Sequence, residues 1–174
     1  MDLKDKIRNV FGNFKELKEV EEIYINCLDA KDEGYKVTQQ YPSLNFTIYT
    51  MNFFVSFKRR IYLLVDDITK LKNKLKDYKK GKVNTNKELE NLDENINKLV
   101  SFDKEATKIY EYYVLYMTNL AREYDKLKND TAKKIYINTS EEIILLQIKN
   151  YLKYEKYILI VNDNIKNLKN VFNF

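Results

Sequence analysis

The feature that most constrains this chain is one sustained register of apolar residues in its middle. Leu89, Leu92, Ile96, Leu99, Ala106, Tyr110, Tyr113, Met117, Leu120, Tyr124 and Leu127 keep a single seven-residue repeat. Only an amphipathic helix gathers positions so spaced onto one face, and at about 1.5 Å per residue it is ~60 Å long. A stripe of that length must be covered by other helices, and the flanking sequence supplies them. Before it, Leu3, Ile7, Val10, Phe14, Leu17, Val20, Tyr24 and Cys27 alternate steps of three and four, as do Ile48, Met51, Phe54, Ile61, Val65, Ile68, Leu71, Leu75 and Tyr78 with one gap. After it, Ile144, Ile148, Tyr151, Ile158, Val161, Ile165, Leu168 and Phe172 carry a fourth stripe.

Boundaries follow from turn and cap chemistry. Gly34 and the only proline, Pro42, mark a connection, and Ser43 has the chemistry to cap the next helix. Gly81 offers a C-terminal stop, and Asn129 with Asp130 breaks the third pattern. Residues 135–138 read as a short extended piece or frayed turn, before Thr139 and Glu142, which have capping-box spacing. The expected helices span about 2–28, 44–80, 86–128 and 140–173. The expectation is an all-α fold, one domain over 1–174, arranged as an antiparallel up-down four-helix bundle. An alternative leaves residues from about 70 to 99 as a helical hairpin around Gly81 that projects from a shorter bundle.

Composition narrows the chemistry. Three Gly and one Pro are too few for an all-β fold, and Gly12, Gly34 and Gly81 are too scattered to cradle a phosphate. The chain has no histidine, which removes triads, His-ligated zinc and the Glu-x-x-His di-iron pattern of some bundles. A lone cysteine, Cys27, makes neither an internal disulfide nor a zinc site. Together with the lack of a basic-then-apolar leader, it indicates an intracellular protein. The most apolar stretch, Leu44 to Val65, is interrupted by Lys58, Arg59 and Arg60, each costing roughly 2.5–3.5 kcal/mol at a bilayer centre. No transmembrane span is expected. Adjacent carboxylates at Glu21-Glu22, Asp66-Asp67 and Glu141-Glu142 point about 100° apart on a helix, so they read as solvated surface. No catalytic residue, cofactor, metal or small-molecule substrate is indicated. Heavy use of Lys, Asn, Ile and Tyr matches an AT-rich coding genome, as in many viruses, parasites and some bacteria.

Three groups of residues stand out. Lys58, Asp103 and Glu155 each fall where a seam calls for an apolar residue, and folding the helices back on one another brings their levels close. They form a candidate buried polar layer, with Arg59 as a possible member, that would fix helix register. Between Lys58 and Lys82 ten basic residues face three acidic ones, a local charge of +7 that leaves −2 for the rest. Lys70, Lys72, Lys74, Lys76, Lys79, Lys80 and Lys82 thus make a cationic tip for phosphates or an anionic membrane surface. Against this, Glu88, Glu90, Asp93 and Glu94 on the next helix are available to neutralise it, and the chain has only four arginines. Tyrosine is in excess, 15 of 174 residues. Phe53, Phe57, Tyr62, Tyr112, Tyr116, Tyr154 and Tyr157 flank the seams and form a candidate partner interface, since tyrosine is enriched where proteins meet. The first expectation for function is a non-enzymatic helical assembly protein that binds a partner or itself, in the manner of a viral structural component. The alternatives are nucleic-acid binding through residues 70–82, or reversible attachment to an anionic membrane.

Overall fold

A computed structural model describes residues 1–29, 44–79 and 84–174, and among these it contains helices and no strand. The helices are α1 (Leu3–Phe11), α2 (Lys18–Asn26), α3 (Asn45–Lys79), α4 (Asn86–Tyr124) and α5 (Asp130–Phe172), with a 3-10 turn at Lys15–Leu17. Gly34, Pro42, Ser43 and Gly81 lie outside the described residues, so the connections expected there are not part of this description.

The first expected helix is in fact two. Asp2 caps α1 by accepting the Asp5 N–H at 2.9 Å. The helix then stops at Gly12, whose N–H still donates to the Arg8 carbonyl while its φ of 64° and ψ of −145° turn the chain out of the helical path. That region is open almost only to glycine, so the break is local backbone chemistry. Beyond it Phe14 is exposed while Leu17, Val20 and Tyr24 return to the core.

The last helix departs from expectation in the other direction. Asn129 accepts the Ala132 N–H at 2.7 Å, which starts α5 at Asp130 instead of Thr139. Residues 135–138 are therefore helical, and Thr139 to Glu142 lie inside the helix. Nothing between Ala132 and Glu142 opposes this, because no Gly or Pro occurs there, and Tyr136 and Ser140 provide a buried face. Helix α4 ends at Tyr124, so Leu127, the last residue of its seam, sits in the following turn.

The chain folds as two compact units, each made of two separated stretches: Met1–Ser56 with Ala106–Lys153, and Phe57–Glu105 with Tyr154–Phe174. In the first unit Tyr24 contacts Phe11 and Phe53, with ring centroids 5.8 and 5.3 Å away. Ile144, Ile148 and Tyr151 of α5 are fully buried, as are Ala106 and Met117 of α4. Two buried polar side chains there reach backbone carbonyls: Gln147 Nε2 donates to Thr50 and the Tyr151 hydroxyl to Ala106. Such bonds offset part of the cost of burying the two donors.

The buried apolar residues of the second unit are Ile61, Leu64, Ile68, Leu71 and Leu75 of α3, Leu92 and Leu99 of α4, and Ile158, Val161 and Ile165 of α5. Each such side chain, fully buried, contributes about 1.5–3 kcal/mol. The 70–99 segment is not a bare projecting hairpin, because Tyr78 packs edge-on against Phe172 and Phe174 at 5.1 and 6.2 Å. At its start α3 buries Thr50, Phe53 and Phe57, not the Met51 and Phe54 of the seam read from the sequence. The true stripe runs 53, 57, 61, 64, 68, 71 and 75, one residue earlier than expected before Ile61.

Candidate interaction surfaces

That shift of register takes Phe53 and Phe57 out of the expected interface. Phe53 and Phe57 are 0% exposed and Tyr154 is 1% exposed, so these three are core residues. The Tyr154 ring lies 5.9 Å from Phe57 and 4.9 Å from Phe102, and its hydroxyl donates to Glu105 Oε2 at 2.8 Å. Burial, reinforced by that carboxylate, holds its pKa well above the ordinary tyrosine value. Tyr157 is half-buried, donates to Asn95 Oδ1 at 2.8 Å and lies edge-on to Phe102, so it too belongs to the packing of the second unit.

Three expected residues remain outside: Tyr62, Tyr112 and Tyr116, at 74%, 65% and 44% exposure. Tyr62 belongs to the second unit and the other two to the first. On α4, Tyr112 and Tyr116 are one turn apart and stacked, with centroids 6.5 Å apart and planes at 12°. Leu115, also exposed, completes an i, i+3, i+4 strip that the sequence reading missed because Leu115 lies off the seam. Tyr113 stands edge-on to Tyr112 and accepts a hydrogen bond from Asn150, which props the strip from α5.

The polar layer forms in a different arrangement. Lys58 reaches Asp103 at 3.4 Å as expected, yet its side chain is half exposed, so this is a pair at the rim. Glu155, fully buried, is gripped by Arg60, which the sequence reading had not placed in the layer: Nη1 meets Oε2 at 2.5 Å and Nη2 meets Oε1 at 2.6 Å. A planar guanidinium matches the two carboxylate oxygens, which a lysine ammonium does not.

Of the basic residues, Lys70 is tied to Asp66 at 2.8 Å, and this hydrogen bond raises its pKa. Lys72 is paired with Asp93, one of the acidic residues expected to neutralise the tip. Lys74 lies 5.7 Å from the Phe174 ring centroid, and Lys76 is exposed. Lys80, Lys82 and the side chain of Lys79 lie outside the described residues. Lys169, which the sequence reading passed over, joins Lys70 and Lys74 around a cleft of about 330 Å³ that Asp67, Leu71 and Asn73 complete.

Among the described residues no group of three or more Cys, Asp or Glu side chains is placed to hold a metal, and no helix is long and apolar enough to cross a membrane. No protein-family model, curated protein or solved structure matches this chain, so the functional reading rests on its own geometry.

Proposed function

We propose that this chain is a non-enzymatic, intracellular helical assembly protein whose α4 strip, Tyr112, Leu115 and Tyr116, binds a second copy of itself. The observation that carries the reading is the exposure of these three apolar side chains on one helical face. Tyrosine rings already stacked on each other lose little freedom when covered, so they favour association. Charge supports a copy as the occupant. An antiparallel pairing centred near Leu115 sets exposed Lys108 of one chain level with exposed Glu123 of the other, twice by symmetry.

The framework we propose is an up-down helical bundle. In the second unit, α3 residues 58 and 72 meet α4 residues 103 and 93, in falling order, while residues 60 and 78 meet α5 residues 155 and 172, in rising order. In the first unit α1 and α2 add a further helical layer, through Lys6 with Glu141 and Tyr24 with Phe53.

Light scattering at low and moderate salt tests the assembly. The expected result is a salt-resistant mass above the monomer that returns to the monomer when Tyr112→Ser and Leu115→Ser are combined, with helicity unchanged. A monomer at every concentration, or an oligomer indifferent to the double variant, overturns the proposal.

A further inference from the structure

The basic cleft of the second unit plays no part in that assembly, and its chemistry points elsewhere. Lys70 and Lys74 stand one turn apart on α3, and Lys169 comes from the last turn of α5. With Asp67 they give three ammonium groups and one carboxylate around a recess that includes buried Leu71, beside the amide of Asn73. An excess of positive charge in a recess attracts anions more strongly than the same charge spread on a flat surface. Asp66 holds the Lys70 ammonium at 2.8 Å, which limits its wandering.

Next to these cations is an aromatic group. Phe174 is stacked near Phe172 at 5.9 Å and lies edge-on to Tyr78 at 6.2 Å, and it remains 37% exposed. The Lys74 ammonium lies over its ring. An exposed cation–π contact is weak, while a base stacked on an aromatic ring is held more strongly. A phosphate that draws Lys74 off Phe174 thus opens the ring for a flat partner. The same lysine couples the two halves of the site.

We propose that this cleft binds a nucleoside phosphate unit, either a free nucleotide or one residue of a single strand. The phosphate lies against Lys70, Lys74 and Lys169, the base covers Phe174, and Asp67 and Asn73 are available to sugar or base-edge groups. An anionic membrane is disfavoured as the source of phosphate, because a bilayer surface offers no flat ring to an aromatic group. The proposal is independent of the assembly reading, and the Tyr112→Ser, Leu115→Ser variant is expected to keep the site intact.

The test is fluorescence anisotropy of the full chain with a labelled single-stranded oligonucleotide, with unlabelled mononucleotide as competitor and phosphatidylserine vesicles as a separate arm. One neutralised phosphate of a single strand predicts a log affinity against log salt slope of about −0.7. Lys169→Glu should abolish binding and Lys169→Gln should weaken it, while Phe174→Ala should weaken it about tenfold. Circular dichroism of each variant confirms that the fold is kept. Competition by the mononucleotide assigns the site to free nucleotides, and indifference to it alongside oligonucleotide binding assigns it to a strand; both uphold the proposal. It is overturned by absence of binding at low salt, by binding that survives Lys169→Glu or ignores Phe174→Ala, or by capture on vesicles without capture of either nucleotide probe.

Discussion

Glu155 brings a full carboxylate into the interior of the second unit, and the forked contact with Arg60 compensates for water it gives up. Removing one partner of such a pair is far more destabilising than replacing both. Arg60→Leu is expected to cost about 3–5 kcal/mol in urea denaturation, while Arg60→Leu combined with Glu155→Leu should recover most of that loss. A double variant as unstable as the single one would show that the pair is not the source of the cost. The sequence displayed the buried charge at position 155, because an acidic residue interrupts an otherwise apolar stripe. It did not display the partner. Arg59 and Arg60 differ by about 100° around the helix, and choosing between them needs the register of α3. That register was hidden by Phe53, Phe54 and Phe57, which make the start of α3 apolar on more than one side.

Among the elements, α3 and α4 were legible nearly to their ends, because each long apolar stripe specifies its own helix. The stripe over Leu3 to Cys27 gave one helix where there are two, since its three-and-four spacing runs straight across Gly12. The backbone makes that break. At Gly12 an added Cβ meets nothing closer than Phe14 Cδ2 at 4.0 Å, so crowding is absent and the cost of a side chain lies in φ and ψ. Gly12→Ala should therefore lower stability by about 1–3 kcal/mol in thermal or urea unfolding, and Gly12→Asn should fare no better, because this conformation lies outside the left-handed helical region that asparagine tolerates. A neutral Gly12→Ala would mean that α1 and α2 can merge. At α5 the capping residue Asn129 was read as a break, while the capping-box spacing at Thr139 drew the boundary too late.

For the molecule as a whole, tyrosine sets a limit at high pH. Tyr49, Tyr113, Tyr136, Tyr154 and Tyr157 are all held above the ordinary value of 10.0, in each case chiefly by burial. A group whose folded pKa exceeds its unfolded one stabilises the fold fully below the unfolded value, and that stability is lost as pH rises toward the folded one. Stability should thus hold until about pH 10 and then fall, by up to about 1.4 kcal/mol per pH unit for each shifted tyrosine. Tyr154→Phe should make the fall shallower. Denaturation midpoints between about pH 8 and 12, followed with phenolate absorbance, check this. A midpoint unchanged through about pH 11 would contradict it. No imidazole is present to add a transition near neutrality.

The two units are each closed by residues far apart in the chain, and this bears on the order in which the protein is made. A nascent chain that has emerged only as far as Glu105 holds neither unit complete. The first waits for Ala106–Lys153 and the second for Tyr154–Phe174. Until then Leu71, Leu75, Leu92 and Leu99 have no Ile158, Val161 or Ile165 to cover them. Through most of its synthesis the chain therefore carries apolar stripes that α5 has yet to cover, the condition under which partly folded chains tend to aggregate.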